Sequence, residues 1–148
     1  MTTHVTLERM ITFLLETPMF EKLEPTEIKQ LVDIIEVKEF SAGDTLFREG
    51  DPGDAWYAVY RGRVDVIKDV GEGQKEIYPL GTCACFGEIA ILDGQPRSAT
   101  IKAIEDSVVL RISRREFQDL LDQDHIVAFK LLRKRKKSIN SHAASISA

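Results

Sequence analysis

Residues Phe86 to Thr100 run FGEIAILDGQPRSAT, placing a glycine, a carboxylate, a short apolar helical turn and an Arg-Ser pair in one arc of chain. That combination reads as an anion socket. Gly87 lets backbone approach a ligand closely, and a turn beginning near Glu88 offers unpaired N–H groups and a positive dipole end to a phosphate. Arg97 can grip the same phosphate from the other side, since a guanidinium fork matches two phosphate oxygens and keeps its charge at any working pH. Pro96 stiffens its approach. Glu88 is repelled by a phosphate unless it has another partner, and an ionised carboxylate can only accept hydrogen bonds. A ribose 2′-OH supplies such a donor, so the implied ligand is a nucleotide with one exposed phosphate group. Taken alone, a Glu nine residues before an Arg is more often a surface ion pair, and a Gly-Glu more often a turn.

Upstream of this arc the chain changes period. Leu7, Ile11, Leu14 and Leu15 recur at helical spacing until Pro18, and Pro25-Thr26-Glu27 opens a second amphipathic helix through Ile28, Leu31 and Ile35. From Val37 to Ile112 short apolar alternations take over, such as Trp56-Tyr57-Ala58-Val59-Tyr60 and Val64-Asp65-Val66-Ile67. Gly and Pro turns interrupt them roughly every eight to twelve residues, which predicts an all-β sandwich or roll. Ser113 is placed as an N-cap with Glu116 as its capping-box partner, followed by Phe117, Leu120 and Leu121 at helical spacing and a last helix from Gln123 to Asn140.

The chain has 148 residues, 43% apolar and 30% charged, with a net charge of −4. A chain this long buries about two-thirds of its unfolded surface and needs no disulfide or metal to stand alone. No apolar run approaches the ~20 residues of a membrane span, and the N-terminus lacks a signal peptide's apolar core, so a cytoplasmic location is the default expectation. Cys83 and Cys85 have no further cysteine or nearby histidine, and His4, His125 and His142 are scattered. A structural zinc site needs four ligands, so no metal is expected. The uncharged setting of the two cysteines favours buried small apolar residues over a reactive thiol.

The stretch from Phe86 to Thr100 resembles, without a gap, the phosphate-binding cassette of the cyclic nucleotide-binding domain family, whose domain serves catabolite activator proteins, cyclic nucleotide-dependent kinases and channels. Upstream, AGDTLFREGDPGDAWYAVYRGRVDV, Ala42 to Val66, resembles the family's glycine-punctuated strands, with Gly43, Gly50, Gly53 and Gly62 in turns. The resemblance implies a mainly β fold: an eight-stranded β-roll or jelly roll with flanking N-terminal and C-terminal α-helices and a short cassette helix. A single domain over 1–148 follows, with N-terminal helices at 1–35, the roll at 36–113 containing the cassette at 86–100, and hinge and C-terminal helices at 114–140. The implied ligand is cAMP or cGMP, with cAMP favoured, held by Phe86, Gly87, Glu88, Ile89, Ala90, Arg97, Ser98 and Ala99. The N–H groups of Ile89 and Ala90 would cap the cyclic phosphate, Glu88 would hold the 2′-OH, Arg97 would neutralise the phosphate, and Ser98 would touch the phosphate or a guanine amino group. Ile91 matches the family's apolar latch and Phe117 the aromatic hinge against which it packs. No catalytic residue is implied.

Two features depart from or extend the pattern. Family members commonly carry Gly and an acidic residue in the turn before the cassette, where this chain has Cys83 and Ala84, which puts the loop's shape in question. The run KLLRKRKK, Lys130 to Lys137, holds six of the chain's twenty basic residues. It suits the C-terminal end of a helix, and the acidic remainder disfavours a nucleic-acid partner. Eight residues follow Asn140, too few for a DNA-reading helix pair. The expectation is therefore a stand-alone, non-enzymatic sensor signalling through its C-terminal helix to a protein partner or its own copy. The alternative is a ligand-free interaction domain that docks a protein or nucleic acid through that basic helix. A metal-dependent cupin-type enzyme is disfavoured by the scattered histidines.

Overall fold

Thr6 starts the first helix by accepting the Arg9 N–H on its hydroxyl, and α1 (Leu7–Leu15) buries Met10, Phe13 and Leu14 along one side. A single 3-10 turn at Pro18–Phe20 follows. The second helix, α2 (Pro25–Val32), has Pro25 in its first turn, where a missing N–H costs nothing, and Glu27 Oε1 accepts the Glu24 N–H at 2.8 Å. A computed structural model gives the structure of residues 5–87, 91, 93–131 and 145–146.

The expected eight-stranded roll is present. Its strands are β1 (Ile35–Phe40), β2 (Thr45–Phe47), β3 (Ala55–Arg61), β4 (Val64–Gly71), β5 (Gln74–Leu80), β6 (Cys85–Phe86), β7 (Thr100–Ala103) and β8 (Ser107–Ser113). A further short strand, β9 (Ser145–Ile146), runs parallel to β6, and the other pairings are antiparallel. One sheet has the order β1-β8-β3-β6-β9 and the other β2-β7-β4-β5. Gly43, Gly50 and Gly62 turn the chain between strands with φ of 96°, 91° and 106°.

β3 explains how the layers stack. Successive side chains of a strand point to opposite faces, and residues 55 to 59 of β3 are all buried. Trp56 and Ala58 face the helices, joining Phe13, Phe20, Ile28, Leu31, Leu110, Ile112 and Phe117 in one core cluster. Ala55, Tyr57 and Val59 face the second sheet, joining Phe47, Val66, Phe86, Ala99 and Ile101 in another. The first sheet is thus covered on both faces, by helices outside and by the second sheet inside.

After β8, Ser113 Oγ accepts the Glu116 N–H at 3.2 Å and α3 (Arg114–Gln123) buries Phe117 and Leu120. Asp124 leaves helical geometry, and its carboxylate accepts the N–H groups of Ile126 and Val127, so the next helix, α4 (residues 125–131), is separately capped. Val127 and Leu131 pack into the helical cluster. Lys130 Nζ meets Glu27 Oε1 at 2.6 Å and Gln30 Nε2 donates to Asp124 at 2.8 Å, tying α4 along α2. The helix expected as far as Asn140 is described only to residue 131, and the basic run beyond Leu131 lies outside the described residues. Among the described residues no helix is long and apolar enough to cross a membrane.

Candidate functional site

β6 delivers Phe86 to the inter-sheet core, and the chain then turns at Gly87 with φ +87°. A Cβ at this position would lie 2.6 Å from the Ala55 carbonyl oxygen and 2.7 Å from Arg97 Nη1. Only glycine satisfies both the left-handed backbone and the close approach. The Ile91 N–H donates to the Gly87 carbonyl at 2.9 Å, the four-residue spacing of an α-helical bond.

Arg97 is 2% exposed, and it is drawn in from both ends. Its own N–H donates to Asp51 O and its carbonyl accepts the Gly50 N–H, each at 2.8 Å, which fixes the backbone against the loop after β2. Nη2 donates to Ala55 O at 2.8 Å and lies 3.6 Å from Asp54 Oδ1. The guanidinium lies over the Phe47 ring, with Cζ 4.0 Å from the ring centroid, and the Tyr57 centroid is 5.7 Å away. Burial holds the Arg97 pKa below its ordinary value, opposed by Tyr57 and Asp54. The group remains a cation, because a guanidinium titrates far above neutral pH.

A second arginine stands in the next row. Cross-strand pairing sets Glu36 opposite Arg111, Arg111 opposite Tyr57, and Tyr57 opposite Phe86. Directly opposite residues share a face, so the four form one line across β1, β8, β3 and β6. Arg111 Nη1 lies 2.6 Å from Glu36 Oε1, Nε donates to Tyr57 Oη at 3.3 Å, and Nη2 is 3.9 Å from Asp54. Burial pushes the Glu36 carboxyl up, but the bond and charge of Arg111 outweigh it and hold the group below the usual carboxylate range. Asp54 thus links the charges of Arg97 and Arg111.

The structure brings Phe86, Gly87, Arg97 and Ala99 together: Phe86 and Ala99 are fully buried in the inter-sheet cluster, and Gly87 abuts Arg97. Ser98 is exposed beside Arg97. Ile91 and Phe117 are both fully buried in the helical cluster. Glu88, Ile89 and Ala90 lie outside the described residues. Phe47, Asp54, Tyr57 and Arg111 were not foreseen. Strand alternation alone would have placed Tyr57 on the inner face with Ala55 and Val59, whereas Phe47 reaches Arg97 from the other sheet.

Cys83 corrects one expectation: it is exposed and only Cys85 is buried. Cys83 has φ +74° and donates its N–H to Val59 O at 2.9 Å, so the turn before the cassette keeps a left-handed residue without a glycine to supply it. Among the described residues no group of three or more His, Cys, Asp or Glu could hold a metal ion.

Comparison with known proteins places this geometry. Residues 37–124 match the model of the cyclic nucleotide-binding domain. The cAMP-dependent protein kinase regulatory subunit of Aspergillus niger is 39% identical over 109 residues, 74% of this chain and 26% of that protein. The chain thus spans about a quarter of the length of such curated relatives. Among solved structures, the N-terminal domain of a transcriptional regulator from Streptomyces coelicolor superposes with a TM-score of 0.81 at 29% identity, covering 88% of this chain and 94% of that one. The regulatory subunit of a cAMP-independent protein kinase A from Trypanosoma brucei gives 0.72 at 26% identity, covering 88% and 47%. With its roll, its glycine turn and the matched span of residues 37–124, the chain belongs to the cyclic nucleotide-binding domain family.

Proposed function

We propose that the chain binds a cyclic nucleotide, cAMP by preference, in the arc from Phe86 to Ala99 and acts as a regulatory module for a protein partner or its own copy. The observation that carries this is Arg97, a permanently charged, two-pronged donor sealed beneath a glycine turn that tolerates no side chain. A cyclic phosphodiester presents one negative charge and two free oxygens, which suits a guanidinium edge. In this account Gly87, Ile89 and Ala90 turn N–H groups to the phosphate, Glu88 accepts the ribose 2′-OH, and Ser98 flanks the phosphate, with Phe86 and Ala99 as the apolar floor. Ile91 and Phe117 form the latch and hinge: occupancy shifts their packing, and α4 follows. The ligand moves that equilibrium only by its differential affinity for the two arrangements. The whole chain acts as one domain, with no metal and no catalytic step.

Relatives divide on the messenger, since the A. niger subunit is named for cAMP dependence and the T. brucei subunit for cAMP independence. Thermal melts with cAMP, cGMP and 5′-AMP test the proposal. A ligand at a hundred times its Kd stabilises by about 2.7 kcal/mol, a rise of roughly 5–10 °C for a chain of this size. The expected result is a rise with cAMP, a smaller one with cGMP and none with 5′-AMP. No rise with either cyclic nucleotide at millimolar concentration, or an equal rise with 5′-AMP, contradicts it.

A further inference from the structure

We infer that Phe47 is a positioning residue for the phosphate-gripping arginine, an aromatic clamp that holds the Arg97 guanidinium in the plane from which it meets its anion. The inference rests on the cyclic nucleotide reading and adds a residue that lies outside the cassette.

The clamp is built from both sheets. Phe47 ends β2 and pairs with Ile101 of β7, with a register irregularity between Thr45 and Phe47. From the other sheet come Tyr57 and Phe86, directly paired across β3 and β6. Their rings stack at 5.4 Å with 18° between planes, and the Phe47 centroid is 5.7 Å from Tyr57 and 5.8 Å from Phe86. Arg97 rests on two of these rings, its Cζ 4.0 Å from the Phe47 centroid and 5.7 Å from that of Tyr57.

The chemistry of a guanidinium makes the geometry consequential. All five N–H donors lie in its plane, so a ring on its face occupies no donor and fixes the plane's tilt. Nη2 already donates to Ala55 O, and Nη1 lies against the Gly87 turn, 2.7 Å from where a Cβ would stand. With Nη2 anchored to Ala55 and the Phe47 ring packed against the group, rotation of the guanidinium out of its plane is resisted. Cation–π attraction is also strongest where water is excluded, and both residues are at most 8% exposed. An aliphatic residue of similar bulk would fill the space without attracting the cation or defining its plane.

The test compares Phe47→Leu, which keeps apolar bulk, with Phe47→Tyr, which keeps the ring. In calorimetric titration with cAMP, Phe47→Leu is expected to bind roughly ten-fold more weakly, while Phe47→Tyr stays within about two-fold of the parent. In an Arg97→Lys background Phe47→Leu is expected to add little further loss, because the planar group it orients is gone. A ligand-free readout separates the two levels of the proposal. The Arg97 Nε–H proton, seen by NMR in the unmodified protein, should be shifted upfield by the Phe47 ring current, and Phe47→Leu should abolish the shift. If the parent binds cAMP and Phe47→Leu binds equally well, the clamp is overturned and the binding proposal stands. If the parent binds no cyclic nucleotide, the binding proposal falls and the NMR shift alone decides whether the clamp exists. An unshifted Nε–H proton in the parent overturns it even if Phe47→Leu fails to fold.

Discussion

Asp54 lies 3.6 Å from the Arg97 guanidinium, yet the Asp54 side chain is 68% exposed and that of Arg97 is 1% exposed. The anion is in water and the cation is not. A pair with one member so solvated contributes at most about 1 kcal/mol, and a bound phosphate must share Arg97 with it. Replacing Asp54 by Asn should therefore tighten cyclic nucleotide binding by up to about five-fold, with the gain shrinking as salt is added. Titrations of both proteins at low and high ionic strength read this directly; weaker binding by the variant would show that Asp54 orients Arg97 rather than competing for it.

Gly87→Ala is expected to damage stability and binding together. The left-handed backbone alone costs about 1–2 kcal/mol for an L-residue, and the new methyl would press on the Ala55 carbonyl and Arg97 Nη1. Urea denaturation should show the midpoint falling by at least that equivalent. A variant of unchanged stability would mean that the turn is not held as described.

Cys83 offers the opposite experiment. Its positive φ stores strain that glycine would relieve, while glycine loses more chain entropy on folding. The strain is the larger of the two, so Cys83→Gly should stabilise by about 0.5–1 kcal/mol. In the native parent, a thiol-alkylating reagent should label Cys83 and spare Cys85, as their exposures require. Mass spectrometry of the labelled protein checks the second point and chemical denaturation the first.

Acid should loosen α4 before it loosens the roll. Burial pushes the Glu27 carboxyl up, but the Glu24 N–H and the Lys130 ammonium outweigh it and hold the group below its usual value. The Val127 N–H and the Gln30 amide likewise hold Asp124 low. Groups with depressed folded pKa values bind protons more readily in the unfolded chain, so their stabilisation is complete above the ordinary carboxylate range near ~4 and is lost as pH falls through the lower folded values. Hydrogen exchange corrected for intrinsic rates should show protection in residues 125–131 dropping below about pH 4 while that of β3 and β8 persists. Glu27→Gln should flatten the dependence; an unchanged profile would remove the ion pair from the account.

Much of this molecule was legible in its sequence because the informative signals are local. The spacing of Leu7, Ile11 and Leu14, the proline at Pro25 and the hydroxyl of Ser113 act within one or two turns of chain, and each marks a helix where the structure has one. The glycines at 43, 50 and 62 mark turns because backbone sterics demand them. What escaped depends on pairing between distant segments. Phe47 and Tyr57 are ten residues apart in sequence and belong to different sheets, so their meeting at Arg97 follows from how the roll closes and not from either strand's pattern. Arg111 joins the site only through the register of β8 against β1 and β3. Cys83 was misjudged because composition favours burying a thiol, whereas its place at the apex of a turn leaves it in solvent.

The most direct test is a calorimetric titration of the parent and of Arg97→Ala with cAMP, with melting temperatures recorded for both. Losing a hydrogen-bonded charge contact of this kind costs about 1.5–3 kcal/mol, so the variant should bind about ten- to more than a hundred-fold more weakly than a parent that takes one ligand per chain. Equal affinity in a folded variant, or no heat from the parent with cAMP or cGMP, would contradict the account.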